Sequence, residues 1–316
     1  MFESLARPLT VVAHDAGAAN HIFAWLGGEQ ARLCLAGPAQ TLWQLHIKKS
    51  MQSQAFEFDS IQRLNFPQTH FEQNELATAL IGAATVITGT GWESNLEHDA
   101  RKIARENGIH TIAVIDHWTN YEDRFIRNGE QIFPDEIWVS DSYAVEIAKS
   151  VFPTVRVVQH PNAYLAGLVA EVEFLQLNDS SMGNERVLYV LEPIRHLWGE
   201  HDQLGEFLAL DYFMENFKHV AISEDAQIRL RPHPSDPIGK YDAWLLRQAN
   251  PRLTLDRSSS LAEALGWSTV VVGCQTYAMV LAIACGRTVI SSIPDWAPPC
   301  VLPHMEIIKM GDVCSF

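Results

Sequence analysis

ATVITGTGWESNLEHDARKIARENGIHTIAVI, residues 84–115, holds the unit from which this chain is built. An apolar run rich in β-branched residues (ATVIT, 84–88) meets a glycine-rich turn (GTGWESN). A helical pattern follows (LEHDARKIARENG), closed by Gly108, and then a second apolar run (IHTIAVI, 109–115). Glycine just past a helix is a natural stop, because it adopts the left-handed backbone that the closing turn needs. Strand, helix and strand in that order predict two parallel strands joined by a crossover helix.

The same alternation extends to both sides. Upstream, Leu9–Ala13 (LTVVA) reads as a strand, HDAGAAN opens a helix through Trp25, and 32–36 (RLCLA) is a second strand. Downstream, 136–140 (EIWVS) leads into the helix SYAVEIAKSVF, and 155–158 (VRVV) closes the half. A polar run at 176–186 (QLNDSSMGNER) has the composition of a linker. The pattern then restarts with strands at 187–191, 227–230, 253–255, 269–272 and 288–291, with the helices SLAEALG and TYAMVLAIACG among them. The expected fold class is α/β: two Rossmann-like, doubly wound parallel-sheet domains, 1–175 and 187–316, facing a cleft. Sheets of this kind bind ligands beyond the carboxyl ends of their strands.

Composition bounds the function. The chain has 316 residues, 47% apolar and 19% charged, ordinary for a globular protein with a full core. Its net charge of −15 argues against nucleic acid as a partner, since backbone binding needs dense Lys and Arg. Five cysteines (Cys34, Cys274, Cys285, Cys300, Cys314) form no CxxC pair, which fits reduced thiols better than a disulfide framework or a zinc site. MFESLARPLT lacks the basic and apolar regions of a signal peptide, so the cytoplasm is expected. The charge-free stretch 264–286 contains Gly266, Ser268, Gly273, Gln275 and Thr276, and reads as a buried strand and helix rather than a membrane span.

Candidate site residues fall after the strands. In HDAGAAN, Gly17 permits a tight turn, and Asp15 is a general base, or His14 is one with Asp15 nearby, or Asp15 is only a helix cap. The glycine spacing GxGxxG is missing, so no dinucleotide site is expected. GTGWES brings Glu93 and Ser94 to the same edge, where helix capping by Ser94 or Asn95 is the better reading. DHWTNYEDRF (116–125) gathers Asp116, His117 and Trp118, a mix suited to a polyhydroxylated ligand, with Trp118 stacking on a sugar ring, or else a polar loop with a partly buried Trp118.

In RPHP (231–234), two prolines stiffen the backbone around Arg231 and His233, which suits binding a phosphate. The alternative is a satisfied surface histidine in a Pro-rich turn. Ser258 and Ser259 in RSSSLAEAL could cap a helix or hold a phosphate. Gln275 and Thr276 in GCQTYA open a helix whose N–H groups favour an anion, and Arg195 in LEPIRHLWG could join them. Together they describe an anion pocket in the second half.

The order of these motifs resembles the glycosyltransferases of the two-Rossmann-domain type, GT-B. RPHP, a serine-bearing loop and VVGCQTYAMVLAIACGRTVIS resemble the C-terminal half of bacterial capsule and lipopolysaccharide transferases, closest to sialyltransferases and Kdo transferases that use CMP-sugars. The last region is also similar to CDP-glycerol transferases and to nonhydrolysing nucleotide-sugar 2-epimerases. The resemblance implies a nucleotide-sugar donor in the second domain and a glycan or lipid-linked glycan acceptor in the first. It implies inverting transfer without metal or cofactor, and peripheral association with the inner membrane face as an option. Carried over, His233 contacts the donor phosphate, Ser258 and Ser259 match a hydroxyl pair, and Asp15 matches the acceptor-activating base. Many relatives grip a ribose with a glutamate where this chain has Leu281. The alternatives are a 2-epimerase, or a silent sugar-nucleotide-binding protein.

Overall fold

A computed structural model of the chain describes residues 2–27, 29–52, 62–63, 73–177, 185–198, 203–220 and 222–314. The chain divides into two compact units, Met1–Tyr164 and Leu165–Phe316. Most of the run expected as a linker, 178–184, lies outside the described residues.

The first unit strings together β1 (Leu9–Ala13), α1 (Ala16–Leu26), β2 (Arg32–Leu35), α2 (Gly37–Gln52), β3 (Gln62–Arg63), α3 (Gln73–Leu80), β4 (Thr85–Thr88), α4 (Leu96–Glu106) and β5 (His110–Val114). A short antiparallel ribbon follows, β6 (Ile126–Arg127) with β7 (Glu130–Gln131), and then β8 (Glu136–Val139), α5 (Ser142–Val151) and β9 (Arg156–Gln159). The sheet runs β3-β2-β1-β4-β5-β8-β9 and its pairings are all parallel. Alternate residues of β1 show why helices must cover both faces. Leu9, Val11 and Ala13 enter one core with Ile22, Phe23 and Trp138, while Val12 enters another with Leu76, Leu96 and Ala100. A strand buried on both faces reads as a continuous apolar run, as LTVVA does.

The second unit repeats the plan. It holds α6 (Ala163–Leu177, starting just before the division), β10 (Arg186–Val190), α7 (Gly205–Asn216), β11 (Gln227–Arg231), α8 (Asp242–Gln248) and β12 (Leu253–Leu255). Then come α9 (Leu261–Trp267), β13 (Val270–Gly273), α10 (Tyr277–Ala284), β14 (Thr288–Ser291), β15 (Ile308–Lys309) and α11 (Met310–Cys314). The order is β12-β11-β10-β13-β14-β15, again all parallel. Tyr189, Phe213, Trp244 and Leu230 fill its main core.

Each sheet reverses its direction of growth at one place. In the first unit it lies between β1 and β4, and in the second between β10 and β13. The chain leaves the two strands toward opposite faces there, which opens a crevice beyond their carboxyl ends. No described helix is long and apolar enough to cross a membrane.

Candidate functional site

The first crevice receives HDAGAAN from β1 and GTGWES from β4. Asp15 occupies the cap position of α1 with an extended backbone, yet its side chain makes no capping bond. Instead Oδ1 lies 2.6 Å from His14 Nδ1, and Oδ2 accepts the Trp92 N–H at 2.9 Å. A hydrogen bond from Nδ1 to the carboxylate would leave Nε2 as the acceptor nitrogen of the imidazole. The contact sets Asp15 against Nδ1 of His14 and leaves Nε2 as the other ring nitrogen. Glycine backbones crowd this couple. A Cβ on Gly91 would stand 1.8 Å from Asp15 Oδ2, and one on Gly37 would stand 2.5 Å from His14 Nε2.

Beneath lies Glu97, 2% exposed, a residue that sequence reasoning missed. Its two oxygens accept the backbone N–H groups of His14 (3.0 Å) and Gly91 (2.5 Å), so one carboxylate ties the two loops together. Burial pushes its pKa up, against the pull of those two bonds. An acidic residue in the first turn of α4 reads as a partner for the helix dipole, and nothing in its spacing announces a bridge to residue 14.

Asp116 follows β5. Arg124 donates to its Oδ1 at 3.1 Å, and Oδ2 rests against Gly17 so closely that a Cβ there would lie 1.7 Å away. Burial works to raise its pKa, but Arg124, His117 and His21 prevail and hold it below the usual range. His117 is half-buried against Thr119 and the Trp118 ring. Trp118 corrects the expectation of a sugar-stacking face. It is 6% exposed and donates through Nε1 to Asp141, the carboxylate that caps α5. Glu93 is exposed, and Ser94 Oγ accepts the Leu96 N–H at the start of α4.

The second crevice gathers the residues expected to hold phosphate. Arg195 follows β10 with φ +55°, a left-handed backbone costing a non-glycine residue ~1–2 kcal/mol. Its N–H donates to buried Glu206 (2.6 Å) and its C=O accepts from Gly205 (2.7 Å), so the surroundings hold the strain and leave the guanidinium exposed. His233 follows β11. Its Nδ1 accepts the Ser235 N–H at 3.2 Å and the Ser235 hydroxyl lies at 2.8 Å, so the proton belongs on Nε2. Burial, with Lys240 and Arg195, outweighs Asp236 and lowers its pKa. At neutral pH His233 thus offers a neutral Nε2–H rather than the imidazolium of a charge-assisted bond.

Much of the expected positive charge is already balanced. Arg231 pairs with the buried carboxylate of Asp256 at 2.5 Å, and Lys240 pairs with Glu206 and Asp236. Ser258 donates to Asp256 and Ser259 to Glu263, while Ser260 caps α9. The start of α10 is taken as well. The Gln275 N–H donates to Glu192 Oε2 at 3.0 Å, and Thr276 caps without a side-chain bond. Burial pushes the Glu192 pKa up to about 7, with Glu206 adding to it and the Gln275 bond opposing. Sequence reasoning passed over Glu192, because its partner sits 83 residues away. Leu281, 1% exposed, is core, so that position of α10 supplies no ribose-gripping carboxylate. Among the described residues no group of three His, Cys, Asp or Glu could hold a metal ion.

No family model and no curated protein matches the chain. Solved structures do. The chain is similar to UDP-GlcNAc 2-epimerase from Methanocaldococcus jannaschii, with TM-score 0.56 at 10% identity over 90% of this chain and 83% of that one. It is similar to the Neisseria meningitidis UDP-GlcNAc 2-epimerase bound to UDP-GlcNAc, with TM-score 0.54 at 12% identity over 86% and 78%. The S. aureus MnaA–UDP co-structure gives 0.56 at 10% over 90% and 78%. At such identities the likeness shows the fold: two Rossmann-like parallel-sheet domains of the GT-B type.

Proposed function

We propose that this protein is a nucleotide-sugar enzyme that works by proton transfer, and that epimerisation beside the anomeric carbon of a UDP-sugar is its reaction. The observation that carries the reading is the His14–Asp15 couple at the crevice between β1 and β4, with Nε2 left as a base. The second unit supports it with Arg195 and the Nε2–H of His233 after neighbouring strands, groups suited to a diphosphate. The similar structures that are named for their substrate act on UDP-GlcNAc, and one is described with it bound. This moves the preferred donor from CMP-sugars to UDP-sugars.

In this reading a base takes the proton from the ring carbon next to the anomeric centre. The electron pair of that bond expels the diphosphate as the anomeric C–O bond breaks. The diphosphate then adds back to the anomeric carbon on the face it left, while a proton from solvent reaches the neighbouring carbon on the opposite face. His14 is the base, oriented by Asp15. A positioned base contributes roughly 10²–10⁴-fold.

Transfer to a glycan acceptor is the second reading, favoured by the motif order from RPHP onward. Incubation with UDP-GlcNAc in D2O without acceptor tests the choice. The 2-epimer carrying deuterium at that carbon supports epimerisation. Unchanged UDP-GlcNAc, consumed only when a glycan is added, supports transfer. Absence of UDP binding in calorimetry ends both readings.

A further inference from the structure

Trp92 is the exposed aromatic group of the first crevice. It is 47% exposed, it follows Gly91, and its own N–H is the donor that holds Asp15 Oδ2 at 2.9 Å. Single exposed apolar residues are ordinary on protein surfaces. The position of Trp92 is not ordinary, because its backbone is one hydrogen bond away from the His14–Asp15 couple.

The ring is also held from behind. The guanidinium of Arg127 lies 5.4 Å from its centroid and that of Arg124 lies 5.9 Å away. Arg124 is buried and Arg127 half-buried, so the cations beside the ring are anchored in the protein while the residue itself keeps much of its surface in solvent. Neither arginine depends on the ring for its hydrogen bonds. Arg124 donates to the Thr119 C=O, Thr90 Oγ1 and Asp116. Arg127 donates to the carbonyls of Asp123, Ile126 and Gly91. Two cations held in place by these bonds flank an indole that is 47% exposed. Such an arrangement limits the entropy lost when a ligand docks on it.

We propose that Trp92 is the stacking platform for the pyranose ring of the substrate, holding the sugar beside His14. An indole face matches the apolar C–H face of a pyranose, and small-molecule sites typically combine an apolar wall with a few fixed polar groups. The assignment rests on the nucleotide-sugar reading above. It replaces Trp118, whose ring is buried, as the aromatic partner of the sugar.

Calorimetry with UDP and with UDP-GlcNAc on the wild type, Trp92→Ala and Trp92→Phe tests it. In the wild type UDP-GlcNAc is expected to bind more tightly than UDP. Trp92→Ala is expected to leave UDP binding within about twofold and to weaken UDP-GlcNAc about tenfold, in line with loss of an aromatic anchor. Trp92→Phe is expected to restore most of the difference. The platform is overturned if Trp92→Ala binds UDP-GlcNAc like the wild type, or if it weakens UDP and UDP-GlcNAc equally. A wild type that binds UDP but gains nothing from the sugar also overturns it, and leaves the nucleotide reading standing. A wild type that binds neither overturns that reading and the platform together.

Discussion

Glu192 shows how one carboxylate can set the behaviour of a site. It occupies the start of α10, where an incoming phosphate would compete for the same Gln275 N–H. Burial raises its pKa to about 7, above the ordinary carboxylate value of 4.5. The sign of the linkage follows. Between those two values the folded protein binds more protons at this residue than the unfolded chain does. Its ionisation therefore opposes folding, and stability falls as pH rises from about 4.5 through about 7. Glu192→Gln keeps an oxygen acceptor for Gln275 and removes the titration. Thermal melts at pH 5 and pH 8 are expected to show the variant losing less Tm than the wild type across that interval. Equal losses would mean that Glu192 titrates normally. His98 acts in the opposite sense, because burial with Arg101 and Arg127 lowers its pKa to about 4. Its contribution is present above pH 6.5 and is lost as pH falls toward 4. The wild-type profile therefore combines a rise and a fall, and only the Glu192 part disappears in the variant.

The elements were legible where their physics is local. Runs such as LTVVA, ATVIT and VLYVL become strands buried on both faces, so the carboxyl edges of the sheets can be found from the sequence. Residues whose roles depend on distant partners stay hidden. Trp92 and Trp118 both follow strand ends, and Asp141, far along the chain, buries the second while the first stays open. Arg231 reads as a free cation until Asp256 is placed against it, and Glu97 reads as a helix-dipole partner until it bridges two loops. The β4–α4 turn gives this a test at its own scale. Gly91 lies so close to Asp15 that a methyl group there would overlap Oδ2 at 1.8 Å. Gly91→Ala must push the carboxylate off His14 or shift the turn. Overpacking of this kind typically costs ~1–3 kcal/mol. The expected outcome is a lower Tm with kcat reduced far more than the stability loss alone would explain, and KM for UDP-GlcNAc changed less. A variant that keeps wild-type kcat would show that the His14–Asp15 contact is dispensable.

At the scale of the whole molecule, two units with separate cores present different side chains at their crevices. The first crevice holds the His14–Asp15 couple and the exposed Trp92, and the second holds Arg195, His233 and Glu192. A net charge of −15 makes the surroundings repel a diphosphate, so under the proposed function binding would rest on the few local donors of the second unit rather than on a general field. UDP lacks the sugar and should therefore report on that unit alone. Hydrogen exchange with UDP present is expected to slow amides after β10, after β11 and at the start of α10. HDAGAAN and GTGWES are expected to exchange as in the free protein. At a hundredfold excess over its Kd, a ligand stabilises the state that binds it by about 2.7 kcal/mol, roughly a hundredfold slowing where exchange requires that state to open. UDP-GlcNAc is expected to extend protection to Gly91 and Trp92. Protection by UDP confined to the β1 and β4 loops would reverse the assignment of the two crevices and place the nucleotide on the first unit.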